Sequence, residues 1–149
     1  QIEALMLELG YSPSSFLDNA LEAKACWVHG SCHVFVGPGK FSLWAFWAEV
    51  GLATAGTATE QLVGLGIPAL SLPGEGPQFK KGFAYRQSRL LGGAVRPCRT
   101  PEVLAQRLEE LLNDMTLRRT LGKIGSRRMG SSGGSSALAL LISKLLLGH

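Results

Sequence analysis

The stretch Ala53–Phe79 reads A-T-A-G-T-A-T-E-Q-L-V-G-L-G-I-P-A-L-S-L-P-G-E-G-P-Q-F, and it decides the fold. The apolar residues 50–53 predict a buried strand, which Gly56 ends. A helix is predicted from Thr57, and a second apolar strand over residues 69–72 follows it. Both strands are apolar throughout, which is typical of strands that are buried on both faces. The order strand, helix, strand therefore predicts a βαβ unit with parallel strands.

The first turn of the predicted helix, Gly56–Glu60, has two interpretations. As a ligand site, its free N–H groups and the positive end of the helix dipole would suit a phosphate. The carboxylate of Glu60 would then bind sugar hydroxyls, as acidic residues do in nucleotide-binding folds. As a structural feature, Thr57 caps the helix, and Glu60, three residues on, completes a capping box. The local pattern supports both interpretations.

Several motifs resemble the nucleotide-sugar half of the GT-B glycosyltransferases, in particular lipid-A-disaccharide synthase and its uncharacterised relatives. The resemblance spans roughly residues 10–147 and is sharp between residues 48 and 91. It rests on Ala55–Gln61, Gly64–Pro68 and Pro73–Phe79, with a weaker pattern at Arg127–Gly130 and Gly133–Ser135. It implies an α/β fold, a Rossmann-like parallel sheet flanked by helices. This would be the C-terminal half of a GT-B fold without its first strand.

The resemblance also implies a site for the sugar donor. Backbone groups at the start of the helix would hold the pyrophosphate, Glu60 would bind the ribose, and Gln78 would contact the sugar. Glycine and aromatic residues of the loop after the second strand would shape the sugar pocket. The residues implied are Gly56, Thr57, Ala58, Thr59, Glu60, Gly76, Gln78 and Phe79.

The implied activity is hexosyl transfer from a UDP-linked donor to a lipid or saccharide acceptor, as in lipid A biosynthesis. The resemblance implies no cofactor and no tightly held metal, and it puts the general base in the N-terminal half, so no catalytic residue is assigned. A nucleotide-sugar epimerase and a non-catalytic nucleotide-binding module remain as alternatives. A dinucleotide-dependent oxidoreductase is disfavoured because no G-x-G-x-x-G follows a predicted strand.

Length and composition indicate a globular protein. The chain has 149 residues, of which 46% are hydrophobic and 17% charged, so it can form one domain, assigned to residues 1–149. Because GT-B enzymes have two such domains and this chain starts at Gln1, we expect it to be a fragment of a longer protein. The apolar helix predicted over residues 135–147 is expected to pack on the missing N-terminal domain.

The cysteine content favours a reducing compartment. The chain has three cysteines, an odd number without a C-x-x-C motif, which argues against a disulfide framework. We therefore expect a cytoplasmic location, with peripheral contact to the cytoplasmic face of a membrane as a further possibility. No apolar run reaches the roughly 18 residues that a membrane span needs.

Positive charge is concentrated near the end of the chain. The net charge is +4, and after Asp114 there are six basic residues and no acidic one. Leu117, Leu121 and Ile124 would form the apolar side of a helix over residues 115–129, with its arginines opposite. The arginines have three interpretations: a solvated face, attraction to anionic lipid headgroups, and nucleic-acid binding. The third is disfavoured because no aromatic residues lie among them.

Two further patterns resemble known sites without meeting their requirements. The segment Gly37–Ser42 imitates a phosphate-binding loop but lacks its first glycine and its magnesium-binding hydroxyl. The segment Cys26–His33 offers four metal ligands, but alternation along strands directs them to opposite faces. The other elements predicted are strands over residues 21–28, 32–36 and 94–96, and helices over residues 3–9, 41–49, 80–91 and 101–113.

Overall fold

Tertiary contacts divide the chain of the computed structural model into two compact units, residues 1–48 and 49–149. The structure describes residues 2–15, 21–54, 56–72, 74 and 81–148. The first unit contains an antiparallel sheet, and the second contains the parallel sheet that the sequence predicts. The assignment of all 149 residues to one domain stays a prediction.

The first unit begins with helix α1, Ile2–Glu8, and three antiparallel strands in the order β1-β2-β3. The strands are β1 Ser12–Ser14, β2 Ala25–His29 and β3 Cys32–Val36. His29 pairs with Cys32 across the turn, so β2 and β3 form a hairpin. The strand expected over residues 21–28 starts only at residue 25.

The helix predicted over residues 41–49 is shorter than expected. Helix α2 covers Phe41–Trp44, and a single 3₁₀ turn, Ala45–Trp47, follows it. Ala48 is already extended, with φ −75° and ψ 134°. The next strand starts three residues later, at Gly51, so the chain must leave the helical conformation at this point.

The second unit contains a three-stranded parallel sheet in the order β4-β5-β6. Its strands are β4 Gly51–Ala53, β5 Ala69–Ser71 and β6 Val95–Pro97. Helix α3, Thr57–Gly64, connects the first two strands, and helix α4, Lys81–Leu90, lies between the second and third. The predicted α/β fold with a parallel sheet flanked by helices is confirmed.

Three helices complete the second unit: α5 Pro101–Asn113, α6 Met115–Met129 and α7 Gly134–Leu147. Helix α5 starts as predicted, since the side chain of Thr100 accepts a hydrogen bond from the Val103 N–H at 3.4 Å. Asp114 caps α6 in the same way, accepting from the Leu117 N–H at 2.8 Å. Of the helices in the described part of the chain, none is long and apolar enough to cross a membrane.

The central strand of the parallel sheet, β5, is covered on both faces. Neighbouring residues of β5 belong to different core clusters, since Ala69 lies in one and Leu70 in the other. The first cluster joins the sheet to α3 and to the end of α4, through Val63, Ala69, Leu91, Ala94 and Val95. The second joins it to α5, through Leu70, Cys98 and Leu111. Burial on both faces explains why β5 is mainly apolar, whereas Leu52 of the edge strand β4 is 59% exposed.

Helix α6 packs differently from the sequence-based expectation. Leu117 and Leu121 do pack against the second cluster, but Ile124 is 37% exposed. The buried residues of α6 are Gly122 and Gly125, and this helix lies against α3. A Cβ atom on Gly122 would lie 2.1 Å from the carbonyl oxygen of Gly66. The two backbones therefore meet at a distance that only glycine permits.

Candidate functional site

The candidate site lies at the edge of the parallel sheet where the strands end. The strands β4, β5 and β6 are parallel, so Ala53, Ser71 and Pro97 end at the same edge. Helix α3 starts there, four residues after β4. In open α/β sheets this edge is where ligands bind.

Gly56 is the N-cap residue of α3, with φ 101° and ψ −167°, a conformation open to glycine and costly for other residues. A Cβ at this position would meet nothing within 4 Å, so the backbone faces open space. Gly56 therefore permits both the turn and close approach by a ligand.

The capping-box interpretation is wrong. Thr57 is the first residue inside the helix, and no side chain caps α3. A capping side chain must belong to the N-cap residue, which here is a glycine, so Thr57 lies one position too far along the chain. The Thr59 and Glu60 N–H groups bond to the Gly56 carbonyl, at 3.0 and 3.4 Å.

The first two N–H groups of α3 are donors without a partner among the described residues. They belong to Thr57 and Ala58, both of which are exposed. Thr59 differs, because its side chain is fully buried and its Oγ1 has no hydrogen-bond partner in the described structure. The start of α3 thus offers two exposed donors, followed in the chain by a buried hydroxyl.

Glu60 lies on the α4 side of this helix and is half-buried. Its Oε1 accepts a hydrogen bond from Nε2 of Gln87 at 3.3 Å. The same Nε2 donates to the Gly56 carbonyl oxygen, also at 3.3 Å. A cleft of about 370 Å³ opens beside this pair and is lined by Glu60, Phe83, Arg86, Gln87 and Leu90.

Gln87 is not among the residues that the sequence predicts for the site. In the structure it is a buried polar residue, only 3% exposed. A signal for it exists in the sequence of α4. Ala84, Gln87 and Leu91 recur at helical spacing and are all buried, so Gln87 is a polar residue on the apolar face of its helix. Buried polar side chains of this kind need hydrogen-bond partners, and functional sites are one place where they occur.

Three residues predicted for the sugar pocket, Gly76, Gln78 and Phe79, lie outside the described residues. Their part in the site stays a prediction. The structure therefore brings together the Gly56–Glu60 turn and adds Gln87 to it.

Two neighbours at the same edge, Ser71 and Cys98, are buried. The Cys98 N–H donates to the Ser71 carbonyl oxygen at 2.7 Å, and the Cys98 thiol donates to the Arg96 carbonyl oxygen at 3.5 Å. Burial raises the pKa of the Cys98 thiol and so favours its neutral form. The described residues include no group of three or more His, Cys, Asp or Glu that could hold a metal ion.

Comparisons with protein-family models, with curated proteins and with solved structures find no match to this chain. The function is therefore inferred from the residues of the site and from the fold that positions them.

Proposed function

We propose that residues 49–149 bind a UDP-linked sugar donor for transfer of its hexose to a lipid or saccharide acceptor. One observation carries the proposal. The uncapped start of α3 has exposed N–H groups at Thr57 and Ala58. It lies one helical turn from the Glu60 carboxylate, and Glu60 lines a cleft. An anionic group and a neighbouring diol would fit these two features together.

The pyrophosphate of the donor binds at the start of α3. Gly56 leaves open space in front of the turn, and the N–H groups and the helix dipole favour negative charge there. As the bond from sugar to phosphate breaks, charge builds on the leaving diphosphate, and fixed donors at this place stabilise it. No metal or cofactor is required for this part of the proposal, and no catalytic residue is assigned.

The ribose binds at Glu60. A half-buried carboxylate accepts hydrogen bonds from hydroxyl groups, and the adjacent cleft of about 370 Å³ has room for them. The sugar of the donor would be held by Gln78, with Gly76 and Phe79 beside it. A nucleotide-sugar epimerase would use the same donor contacts, and analysis of the sugar product of the full-length protein separates the two reactions.

The proposal extends to the location of the protein. We propose a cytoplasmic protein that contacts the membrane peripherally, since its acceptor is a lipid in the enzymes that it resembles. The three free cysteines, Cys26, Cys32 and Cys98, fit a reducing compartment. Exposed basic residues of α6 would provide the contact to anionic lipid.

The test is UDP binding by the unchanged chain and by Glu60→Gln, measured by calorimetry. The carboxylate makes charge-assisted hydrogen bonds, so its loss should weaken UDP binding about ten-fold, or roughly 1–2 kcal/mol. The melting temperature without ligand should change little, because glutamine can still accept from Gln87.

Glu102→Gln is the matched control for this experiment. Glu102 is an exposed acid in the first turn of α5, away from the cleft, so its replacement should leave UDP affinity unchanged. Equal UDP affinity in the Glu60→Gln variant and the unchanged chain would exclude the ribose role of Glu60. A chain that binds no UDP would overturn the proposed function.

A further inference from the structure

Gln87 has two hydrogen bonds that determine how its amide group is oriented. Both partners, the Glu60 carboxylate and the Gly56 carbonyl, can only accept, so the NH₂ group must point towards them. The amide oxygen then points elsewhere. This Oε1 is buried and has no partner among the described residues, although Gln87 lines the cleft.

An unsatisfied buried oxygen is costly to a folded protein. A buried acceptor without a hydrogen bond has lost its hydration without compensation, and native proteins keep few such groups. Here the oxygen lies on a residue 3% exposed, next to a carboxylate that is already held in place. A ligand hydroxyl entering the cleft would satisfy this oxygen.

We propose that Gln87 is a positioning and specificity-determining residue of this cleft. Its amide NH₂ holds Glu60 and the Gly56 carbonyl in place, and its amide oxygen, on a residue that lines the same cleft, is an acceptor without a partner among the described residues. Two acceptors on residues that line one cleft would select a ligand with two neighbouring hydroxyl groups, a vicinal diol. The diol part of the inference rests on the proposed function, whereas the hydrogen bonds from Gln87 to Glu60 and Gly56 do not.

The first experiment needs no ligand. The side-chain amide protons of Gln87 should exchange slowly with solvent in NMR spectra of the whole chain. Those of Gln61 and Gln106, which are exposed, should exchange fast. In a Glu60→Ala variant the Gln87 amide resonances should shift and their exchange should accelerate. Exchange at Gln87 as fast as at Gln106 would overturn the positioning role.

The second experiment compares two nucleotides, UDP and 2′,3′-dideoxyuridine diphosphate, which lacks the diol. Gln87→Met keeps the length of the side chain and removes both the NH₂ donor and the oxygen acceptor of its amide group. This variant should bind UDP about ten-fold more weakly than the unchanged chain and should bind the dideoxy nucleotide equally well. Arg89→Lys, at an exposed position of the same helix outside the lining of the cleft, is the control and should bind both nucleotides as the unchanged chain does.

The outcomes separate this inference from the proposed function. If the unchanged chain binds UDP and Gln87→Met binds it equally well, Gln87 does not recognise the diol. The inference then fails, and the proposed function stands. If the unchanged chain binds no UDP, the proposed function and the diol part fail together, and amide exchange decides the positioning role. Should Gln87→Met fail to fold, Gln87→Glu replaces it. That variant keeps an acceptor but sets a second carboxylate against Glu60, so it too should weaken UDP binding.

Discussion

At the scale of single residues, Gly122 determines how closely α6 approaches α3. An added Cβ would lie 2.1 Å from the Gly66 carbonyl oxygen and 3.0 Å from its carbon, both backbone atoms that cannot turn aside. Gly122→Ala must push α6 away from the turn that follows α3, so we expect it to lower the free energy of unfolding by about 2–3 kcal/mol. Denaturant unfolding followed by circular dichroism measures this loss.

Gly82→Ala is the matched control for that substitution. Gly82 is also a helical glycine, in α4, but a Cβ there would meet nothing within 4 Å. Alanine restricts the unfolded chain and favours the helix, so this variant should gain up to about 1 kcal/mol. Equal effects of the two substitutions would show that helix propensity, and not the contact with Gly66, decides the result.

The three cysteines should differ in reactivity. Cys32 is exposed, whereas Cys26 and Cys98 are buried. Iodoacetamide should therefore modify Cys32 in the folded protein, and mass spectrometry should find the other two modified only as the chain unfolds. Fast modification of Cys98 in the native protein would contradict its burial.

The same burial makes a prediction for the pH dependence of stability. Because burial raises the pKa of Cys98 in the folded state, the folded protein binds this proton more tightly than the unfolded chain does. The contribution is complete at neutral pH and is lost as the pH rises through the folded-state pKa. Unfolding measured between about pH 7 and 10 should show a shallower loss of stability in Cys98→Ala than in the unchanged chain.

At the scale of elements, Arg118 joins the end of α5 to α6. Its Nη1 donates to the carbonyl oxygens of Leu111 and Leu112, at 2.6 and 2.5 Å, and its Nη2 lies 3.2 Å from Glu49. Its side chain is 13% exposed, so it does not belong to the free basic face that the sequence suggests.

Replacing Arg118 should therefore cost stability. Arg118→Met leaves the last carbonyl groups of α5 without their charged donor, and we expect a loss of about 2 kcal/mol in the free energy of unfolding. Arg119→Met, on an exposed neighbour, should change it by less than about 0.5 kcal/mol. Equal stability of the two variants would mean that the contacts of Arg118 contribute nothing.

At the scale of the molecule, basic charge and exposed apolar surface follow each other along the last third of the chain. Arg119, Arg127 and Arg128 of α6 are exposed. Helix α7 adds large apolar side chains that are each at least 45% exposed: Leu138, Leu140, Leu141, Ile142, Leu145 and Leu146. This combination suits an anionic lipid surface, which attracts the arginines and accepts apolar side chains.

The membrane proposal predicts a loss of binding to anionic vesicles when these arginines are replaced. Each change of Arg119, Arg127 or Arg128 to glutamine should weaken binding about five-fold, or about 1 kcal/mol per charge, and the effect should fade at high salt. A variant with Arg89, Arg99 and Arg107 changed to glutamine loses the same charge elsewhere and should keep its binding. Equal losses in this variant and in the variant with Arg119, Arg127 and Arg128 all changed to glutamine would mean that the arginines of α6 form a solvated face.

The sequence by itself determined the order of elements in the second unit. Apolar runs, the glycine at residue 56 and the Thr-Pro start at residue 100 are local signals, and each acts within a few residues of itself. They placed α3, α5 and β5 within one or two residues of where the structure has them. They also identified the Gly56–Glu60 turn, but only the structure showed that no side chain caps the helix there.

Only the tertiary structure decided which elements meet. Helical spacing can show that Gln87 shares a face with Ala84 and Leu91, but not that Glu60, 27 residues earlier, lies opposite. It put Arg118 among the basic residues of α6, while the fold directed it to the end of α5. Glycines carry no hydrophobic signal, so the packing of Gly122 on Gly66 was not visible either. The reason is physical: a local pattern reports which side of an element is buried, whereas the partner on that side depends on how the whole chain packs.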